Sequence, residues 1–179
     1  EGFFLNVGSA GEKTIKFSKT QLTNYPKPTP QQKSQVAPIE YVELSLVKGN
    51  HKSKLYFAHN QEAEQNYDIF DANKLFAIGE VAEPYFVTDG VALVKEEVNT
   101  LPYTANLNIR NYENKEVTIS IDNIPEGVTV FLLDNGQDIK MNGGVEYTTN
   151  ITEGENADRF QLLVKKQQKK GIYFVDCKY

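Results

Sequence analysis

Residue types that build many functional sites are scarce in this chain. Among 179 residues there is no tryptophan, one cysteine (Cys177) and two histidines, His51 and His59. A single cysteine cannot close an internal disulfide or supply a multi-cysteine metal site. Neither histidine has partner ligands at the short, fixed spacing that zinc sites use. We therefore expect a free thiol, two exposed loop histidines and no metal centre built from these residues.

Basic clusters and long apolar runs are also missing. The 19 basic residues, of which two are arginine, are scattered along the chain, and the net charge is −5. Phosphate binding needs a basic face and base readout favours arginine, so a nucleic-acid partner is not expected. No apolar run approaches the ~20 residues that cross a bilayer, so we expect no membrane span. No basic and then apolar segment opens the chain, and we expect that any signal peptide has been removed.

What the chain does contain is a two-residue hydrophobic rhythm. Val42, Leu44 and Leu46 alternate with polar residues. Such alternation places one side of a strand on a core and the other side on water or a neighbouring layer. Turn residues separate the strands, and Asp89-Gly90 predicts a two-residue hairpin. The later alternating sets are Leu107 and Ile109, Val117 to Ile121, Val128 to Leu132, and Phe160 to Val164.

These strands predict an all-β protein with an antiparallel β-sandwich. Residues 81–179 contain seven strands over about 80 residues, which suits an immunoglobulin-like sandwich. Residues 1–80 hold four clear strands and a proline-rich connector at 25–38, so we expect a smaller N-terminal β region there. That region is either a small β layer beside the sandwich or the remnant of a larger sandwich or jelly-roll domain truncated at Glu1.

Three stretches together resemble the β-sandwich modules of large secreted and cell-surface proteins of Bacteroidetes, which often lie just before a C-terminal secretion-sorting domain. The first stretch joins Gly2–Leu5 to Ile15–Phe17, the second is Tyr67–Leu75, and the third joins Phe131–Asn135, Val145–Thr148 and Asp158–Leu162. The resemblance covers most of the chain. It implies an exported, non-catalytic structural or adhesive module at the cell surface, and it does not supply a ligand.

Catalytic constellations are not recognisable in the sequence. Gly8-Ser9-Ala10-Gly11 lacks the spacing of a nucleophile elbow, and the 24 acidic residues offer no preferred pair for glycan cleavage. We therefore expect no catalytic residue and no enzyme. Asp68 and Asp71 are the acids of most interest, and two interpretations remain open. They would either bind local backbone N–H groups in a turn or provide oxygen ligands for a structural calcium ion, and no other cofactor is expected.

Three further residues are candidates for defined roles. Arg159 begins a strand in a chain that otherwise uses lysine, so its fork geometry predicts a structural ion pair, with Asp71 or Asp134 as partner. Tyr103 and Tyr112 flank one strand. They would either fill the core or the sheet edge, or stack on a sugar ring.

The sequence thus predicts a non-catalytic extracellular structural or adhesive module of a bacterial surface protein. A carbohydrate-binding module is the alternative, and a glycan-active enzyme is the less favoured one. The expected partners are neighbouring domains of a longer chain, together with host or environmental glycans or proteins.

Overall fold

The computed structural model describes residues 39–141 and 144–167. Strands make up 64% of these residues, and no helix occurs among them. The expectations for Gly2–Leu5, Ile15–Phe17, the connector at 25–38 and Cys177 fall outside the described residues. The strands are β1 (Val42–Lys48), β2 (His51–His59), β3 (Ala72–Asn73), β4 (Glu83–Thr88), β5 (Val91–Val98), β6 (Tyr103–Asn111), β7 (Lys115–Asn123), β8 (Val128–Asp134), β9 (Gln137–Met141), β10 (Glu146–Ile151) and β11 (Gly154–Lys166).

One sheet contains all of these strands. Its order is β10-β7-β1-β2-β5-β4-β6-β11-β8-β9, and β3 pairs with β5 beside this path. The sheet curls into a nearly closed barrel. The all-β prediction is confirmed, whereas an antiparallel immunoglobulin-like sandwich is not. The sheet is mixed because β2 and β5 run parallel.

Local turn chemistry explains the hairpins. Asp89 and Gly90 adopt φ of 51° and 76°, and Asn135 and Gly136 adopt 49° and 81°. Type I′ turns need positive φ at both central positions, which Asn, Asp and Gly tolerate. The flanking residues accordingly pair directly across each hairpin, as Thr88 does with Val91. The two-residue hairpin predicted at Asp89-Gly90 is therefore confirmed.

The core fills the inside of the curled sheet. The inward positions predicted from alternation are confirmed on β1, β6, β7 and β11, where each of these side chains is at most 2% exposed. On β8, Val130 and Leu132 are fully buried and Val128 packs against the core with part of its surface exposed. Phe57, Phe86 and Phe160 are the largest fully buried side chains. Each buried leucine or phenylalanine contributes about 1.5–3 kcal/mol by leaving water.

Strands on both sides of residue 80 share this sheet. β1 pairs with β7, and β2 pairs with β5. Val42, Leu44, Leu55 and Phe57 accordingly belong to the same hydrophobic cluster as residues from β4 to β11. The separate N-terminal region expected for 1–80 stays a prediction for residues 1–38, which the structure does not describe.

Arg159 links the opposite ends of the strand order. Its Nε and Nη2 atoms donate to the two carboxylate oxygens of Asp134 on β8, each at 2.8 Å. It also donates to β10, at the Asn150 carbonyl (2.6 Å) and the Thr149 hydroxyl (2.8 Å). Tyr147 of β10 donates to Asp134 at 2.7 Å. This network therefore fastens the first strand of the order, β10, to β8 and β11 near its other end.

A β-bulge positions this arginine. The β6–β11 register shifts between Asn156 and Phe160, and Asp158 within the shift has φ of 60°. Bulges bend a strand and redirect its side chains. The guanidinium lies 4.5 Å from the Phe160 ring centroid, so it is held by both its fork of hydrogen bonds and the aromatic face. The hydrogen bonds from Arg159 lower the pKa of Asp134 despite its burial.

A double-mutant cycle should detect strong coupling in this pair. We expect Arg159→Ala or Asp134→Ala to cost about 2–4 kcal/mol of unfolding free energy, with a coupling of about 1–3 kcal/mol, because each leaves a poorly hydrated charge unpaired. Urea denaturation measures both. The other arginine provides the control, since Arg110 and Glu155 are 4.0 Å apart and more exposed. Their coupling should stay below about 0.5 kcal/mol. Equal coupling in the two pairs would contradict the conclusion that the Arg159 network fastens β10 to β8 and β11.

Candidate functional site

Residues 60–82 connect β2 to β4 and include the short strand β3. We call these residues the 60–82 segment. Asn60 starts it, and its backbone N–H donates to the Val98 carbonyl of β5 at 2.9 Å. The Asn60 side-chain oxygen accepts the N–H of Glu62 at 3.0 Å. Further along, β3 pairs with β5 and Lys74 donates its N–H to the Ala92 carbonyl at 2.8 Å. The segment is therefore tied to β5 at several points.

A buried carboxylate on β5 holds the start of this segment. Glu97 is 2% exposed. It accepts hydrogen bonds from Lys95 Nζ (2.6 Å), Asn60 Nδ2 (2.8 Å) and Tyr41 Oη (2.8 Å). Burial opposes ionisation, but the donors from Lys95, Asn60 and Tyr41 together outweigh it and lower the pKa of Glu97. Glu97 is therefore an ionised anchor within the sheet.

Asp71 and Asp68 organise the middle of the segment through backbone N–H groups. Asp71 accepts the N–H of Glu97 at 2.9 Å and that of Asp68 at 3.0 Å. Asp68 accepts the N–H groups of Phe70 and Glu64, each at 2.7 Å. Burial raises the pKa of Asp71, with the charge of Asp68 adding to it, although its backbone donors oppose this. Both aspartates thus make the local backbone bonds that one of the two sequence interpretations describes.

The neighbouring residue Glu96 points into the core. It is 1% exposed, and its backbone pairs with that of Phe57 on β2. One oxygen accepts from Thr88 Oγ1 at 2.5 Å and from Tyr103 Oη at 2.9 Å. The other oxygen has no hydrogen-bond partner within the described part of the chain. Burial raises the pKa of Glu96, and its two hydroxyl donors only partly offset this.

A bulge explains why both Leu93 and Glu96 face inward. Ala72 of β3 pairs with Lys95, whereas the next residue, Asn73, pairs with Leu93, so β5 carries one extra residue at this point. Strict alternation would put residues three apart on opposite faces. The extra residue reverses the alternation. Glu96 therefore enters the core, while Glu97 faces the 60–82 segment.

The outer surface of the 60–82 segment carries large apolar side chains. Ile69 is 92% exposed, Tyr67 is 42% exposed, and Leu75 and Ile78 are also exposed. Tyr67 and Ile69 line a groove of about 640 Å³, which we call the 62–70 groove. Its lining residues are Glu62, Glu64, Tyr67, Asp68, Ile69 and Phe70. An apolar surface of this kind, held on a rigid scaffold, is typical of binding regions.

The exposed charges of the segment are all negative. Lys74 is its one basic residue in the sequence. That ammonium is buried against the Glu83 carboxylate at 3.1 Å, and the second Glu83 oxygen accepts the N–H of Ala77 at 2.9 Å. Glu62, Glu64 and Glu80 are exposed. None of these three forms an ion pair with another described residue.

The two tyrosines singled out in the sequence lie in different surroundings. Tyr103 stacks on Phe57 with ring centroids 5.8 Å apart and donates to Glu96, so its ring is engaged with the core. Burial raises the pKa of Tyr103. Tyr112 follows β6, and the Arg110 guanidinium lies 5.2 Å from its ring centroid. The structure therefore does not bring these tyrosines together as one stacking platform.

The remaining sequence candidates are also dispersed. Arg159 meets Asp134, whereas Asp71 lies in the β5 network. His51 is exposed at the start of β2, and His59 contacts the Asn99 carbonyl at 3.0 Å. No group of three or more histidine, cysteine or acidic side chains suited to a metal ion occurs among residues 39–141 and 144–167.

Glu96 and Glu97 were not predicted as site residues from the sequence. The available signal was two consecutive acids, preceded by Lys95, in a strand whose other five residues are apolar, Val91–Val98. Consecutive residues of a strand face opposite sides, so one acid of such a pair must point toward the core. A buried carboxylate needs hydrogen-bond donors, and the fold supplies Tyr103 to Glu96 and Asn60 to Glu97.

Comparisons with protein-family models, with curated proteins and with solved structures found no match. The part of the chain that the structure describes has no helix long and apolar enough to cross a membrane.

Replacing Glu96 should change how stability depends on pH. A carboxyl group whose pKa is raised on folding stabilises the fold below its unfolded pKa, about 4.3 for glutamate, and this contribution is lost as pH rises through the folded pKa. We therefore expect wild type to lose stability relative to Glu96→Gln as the pH rises above about 4, over the range in which the buried carboxyl ionises. Urea denaturation across this range measures the difference. The exposed Glu116→Gln is the control and should follow wild type; parallel profiles for Glu96→Gln would contradict the burial argument.

Removing Asp71 should loosen the 60–82 segment locally. Asp71→Ala leaves the N–H groups of Glu97 and Asp68 without their acceptor. We expect their local opening to become about 1–2 kcal/mol easier, which corresponds to roughly tenfold faster hydrogen exchange. Hydrogen exchange followed by NMR measures these two amides. Asp138→Ala, at an exposed acid on β9, is the control and should leave both amides unchanged. Unchanged exchange in Asp71→Ala would show that the carboxylate does not hold the segment.

Proposed function

We propose that this chain is a non-catalytic extracellular structural or adhesive module of a bacterial surface protein. The sheet provides a scaffold, and the 60–82 segment provides the contact surface. The observation that carries the proposal is the exposure of Ile69, Leu75 and Ile78 on a segment whose backbone is held by carboxylates. Asp71 accepts the N–H groups of Asp68 and of Glu97 on β5. The buried Glu83 accepts the N–H of Ala77. A partner that covers these apolar side chains removes their surface from water, which favours binding.

Preorganisation strengthens this argument. A mobile loop would have to be ordered on binding, at a cost of about 0.5–1.5 kcal/mol for each immobilised side chain. In the 60–82 segment, Asp68, Asp71 and Glu97 already fix the backbone that presents Tyr67 and Ile69. The polar side chains thus support a binding surface formed by apolar side chains.

The resemblance to Bacteroidetes surface modules supports the same function. Its second stretch, Tyr67–Leu75, coincides with the central part of the 60–82 segment. Export and surface display follow from this resemblance and are part of the proposal, as is the immunoglobulin-like character of the C-terminal strands. Carbohydrate binding remains the competing function, in which the recognition surface would contain stacked tyrosines such as Tyr112.

Two binding assays test the adhesive function. Microspheres coated with the protein are passed under flow over immobilised collagen, fibronectin and mucin, and the same protein is applied to a glycan array. We expect retention on at least one protein surface and no group of related glycans. Combining Ile69→Ser, Leu75→Ser and Ile78→Ser should lower retention about tenfold or more, because each removes contact area worth about 1 kcal/mol or more.

The control is Ile39→Ser, an apolar residue that is 37% exposed and precedes β1. It should leave retention unchanged. A family of related glycan hits that survives the triple substitution would favour the carbohydrate-binding function instead. Equal retention of wild type and triple variant would contradict adhesion through the 60–82 segment.

A further inference from the structure

The 62–70 groove combines an apolar centre with charge of one sign. Tyr67 and Ile69 provide the apolar side chains, and Glu62, Glu64 and Asp68 provide the carboxylates. The one cation of the 60–82 segment, Lys74, is already neutralised by Glu83 at 3.1 Å. The surface that this groove offers to a partner is therefore both apolar and negatively charged.

Two of these carboxylates, those of Glu62 and Glu64, make no hydrogen bond or ion pair with the described residues. Asp68 uses its oxygens to accept the N–H groups of Phe70 and Glu64. Glu62 and Glu64, by contrast, enter the network through their backbone N–H groups, while their side chains form no hydrogen bond or ion pair with other described residues. Their charges consequently face solvent beside Ile69 and remain available to a partner.

We propose that the 62–70 groove binds a cationic, apolar segment of a partner protein, one in which lysine or arginine alternates with aliphatic or aromatic side chains. The apolar side chains would cover Ile69 and Tyr67, and the cations would lie against Glu62 and Glu64. This inference rests on the adhesive function proposed above and names its partner class. Membranes with anionic lipids and nucleic acids carry the wrong sign of charge for this surface, so a protein segment is the occupant that fits.

Defined peptides test the chemistry directly. The probes are a fluorescent peptide that alternates lysine with isoleucine and tyrosine, its counterpart with glutamate in place of lysine, and an oligolysine of the same length. Fluorescence anisotropy with the full chain measures binding at low and high salt. We expect the first peptide to bind, the glutamate peptide not to bind, and oligolysine to bind about tenfold more weakly, since it lacks the apolar contact. Raising the salt should weaken binding because the charge contribution is screened.

Paired variants locate the site. Combining Glu62→Gln with Glu64→Gln should weaken binding about fivefold to tenfold, and Ile69→Ser should weaken it about tenfold. The backbone N–H groups that hold the segment remain in these variants, so the groove should keep its shape. The control combines Glu116→Gln with Glu126→Gln, which removes the same charge from exposed sites on β7 and in the β7–β8 loop. This control should change affinity by less than about twofold.

Each outcome decides the inference. If the Glu62/Glu64 variant and the Glu116/Glu126 control weaken binding equally, the attraction to this acidic protein is non-specific and the proposal is overturned. Binding of the glutamate peptide, or no binding of any peptide, would also overturn it. Binding to phosphatidylserine vesicles in place of the peptide would also overturn it.

If coated microspheres adhere through Ile69, Leu75 and Ile78 but the cationic peptide does not bind, the adhesive function stands and the cationic partner is wrong. If the peptide binds and the microspheres do not adhere, the groove is supported and the adhesive function fails.

Discussion

The ion pair between Arg159 and Asp134 is the constraint on which the barrel depends. An open, strongly twisted sheet of this many strands leaves part of its inner face in contact with water unless it curls or is covered. Arg159 holds β8, β10 and β11 at one place, because its donors reach Asp134, Asn150 and Thr149 together. The inward side chains of β1, β7 and β11 belong to one buried hydrophobic cluster. The stabilisation is mostly hydrophobic, and the Arg159 network adds polar contacts that join β10 to β8 and β11.

Strand β5 is where the sheet departs from a simple apolar interior. Glu96 and Glu97 are both nearly inaccessible to water, yet their surroundings have opposite effects on them. For Glu97, three donors outweigh burial and the charged form is favoured. For Glu96, burial outweighs two hydroxyl donors and the neutral form is favoured. Ionisation of Glu96 destabilises the fold at high pH, so core packing alone does not explain the presence of this carboxyl group in the interior.

Much of the fold could be predicted from the sequence, and the limits have physical causes. Alternation in Val42–Leu46 and Phe160–Val164 fixes which side of each strand is buried, because pleating has a period of two. The positive φ of Asp89 and Gly90 follows from residue type.

Alternation carries no information on which strands pair or in which direction, so the parallel pairing of β2 with β5 and the closure into a barrel were not predictable. The bulge at β5 reverses the alternation locally, so alternation counted from Leu93 places Glu96 on the wrong face. The scarcity of arginine, by contrast, did single out Arg159.

The candidate binding surface and the core are connected through β5. Asp71 accepts the backbone N–H of Glu97, and its charge contributes to the raised pKa of Glu96 on the other face of the strand. The same carboxylate therefore fixes the backbone beneath the 62–70 groove and disfavours a second charge within the core. Ile69 is exposed at this groove, and the one cation of the 60–82 segment is paired in the buried Lys74–Glu83 contact. The exposed carboxylates of this surface carry one sign of charge, which suits the cationic partner proposed above.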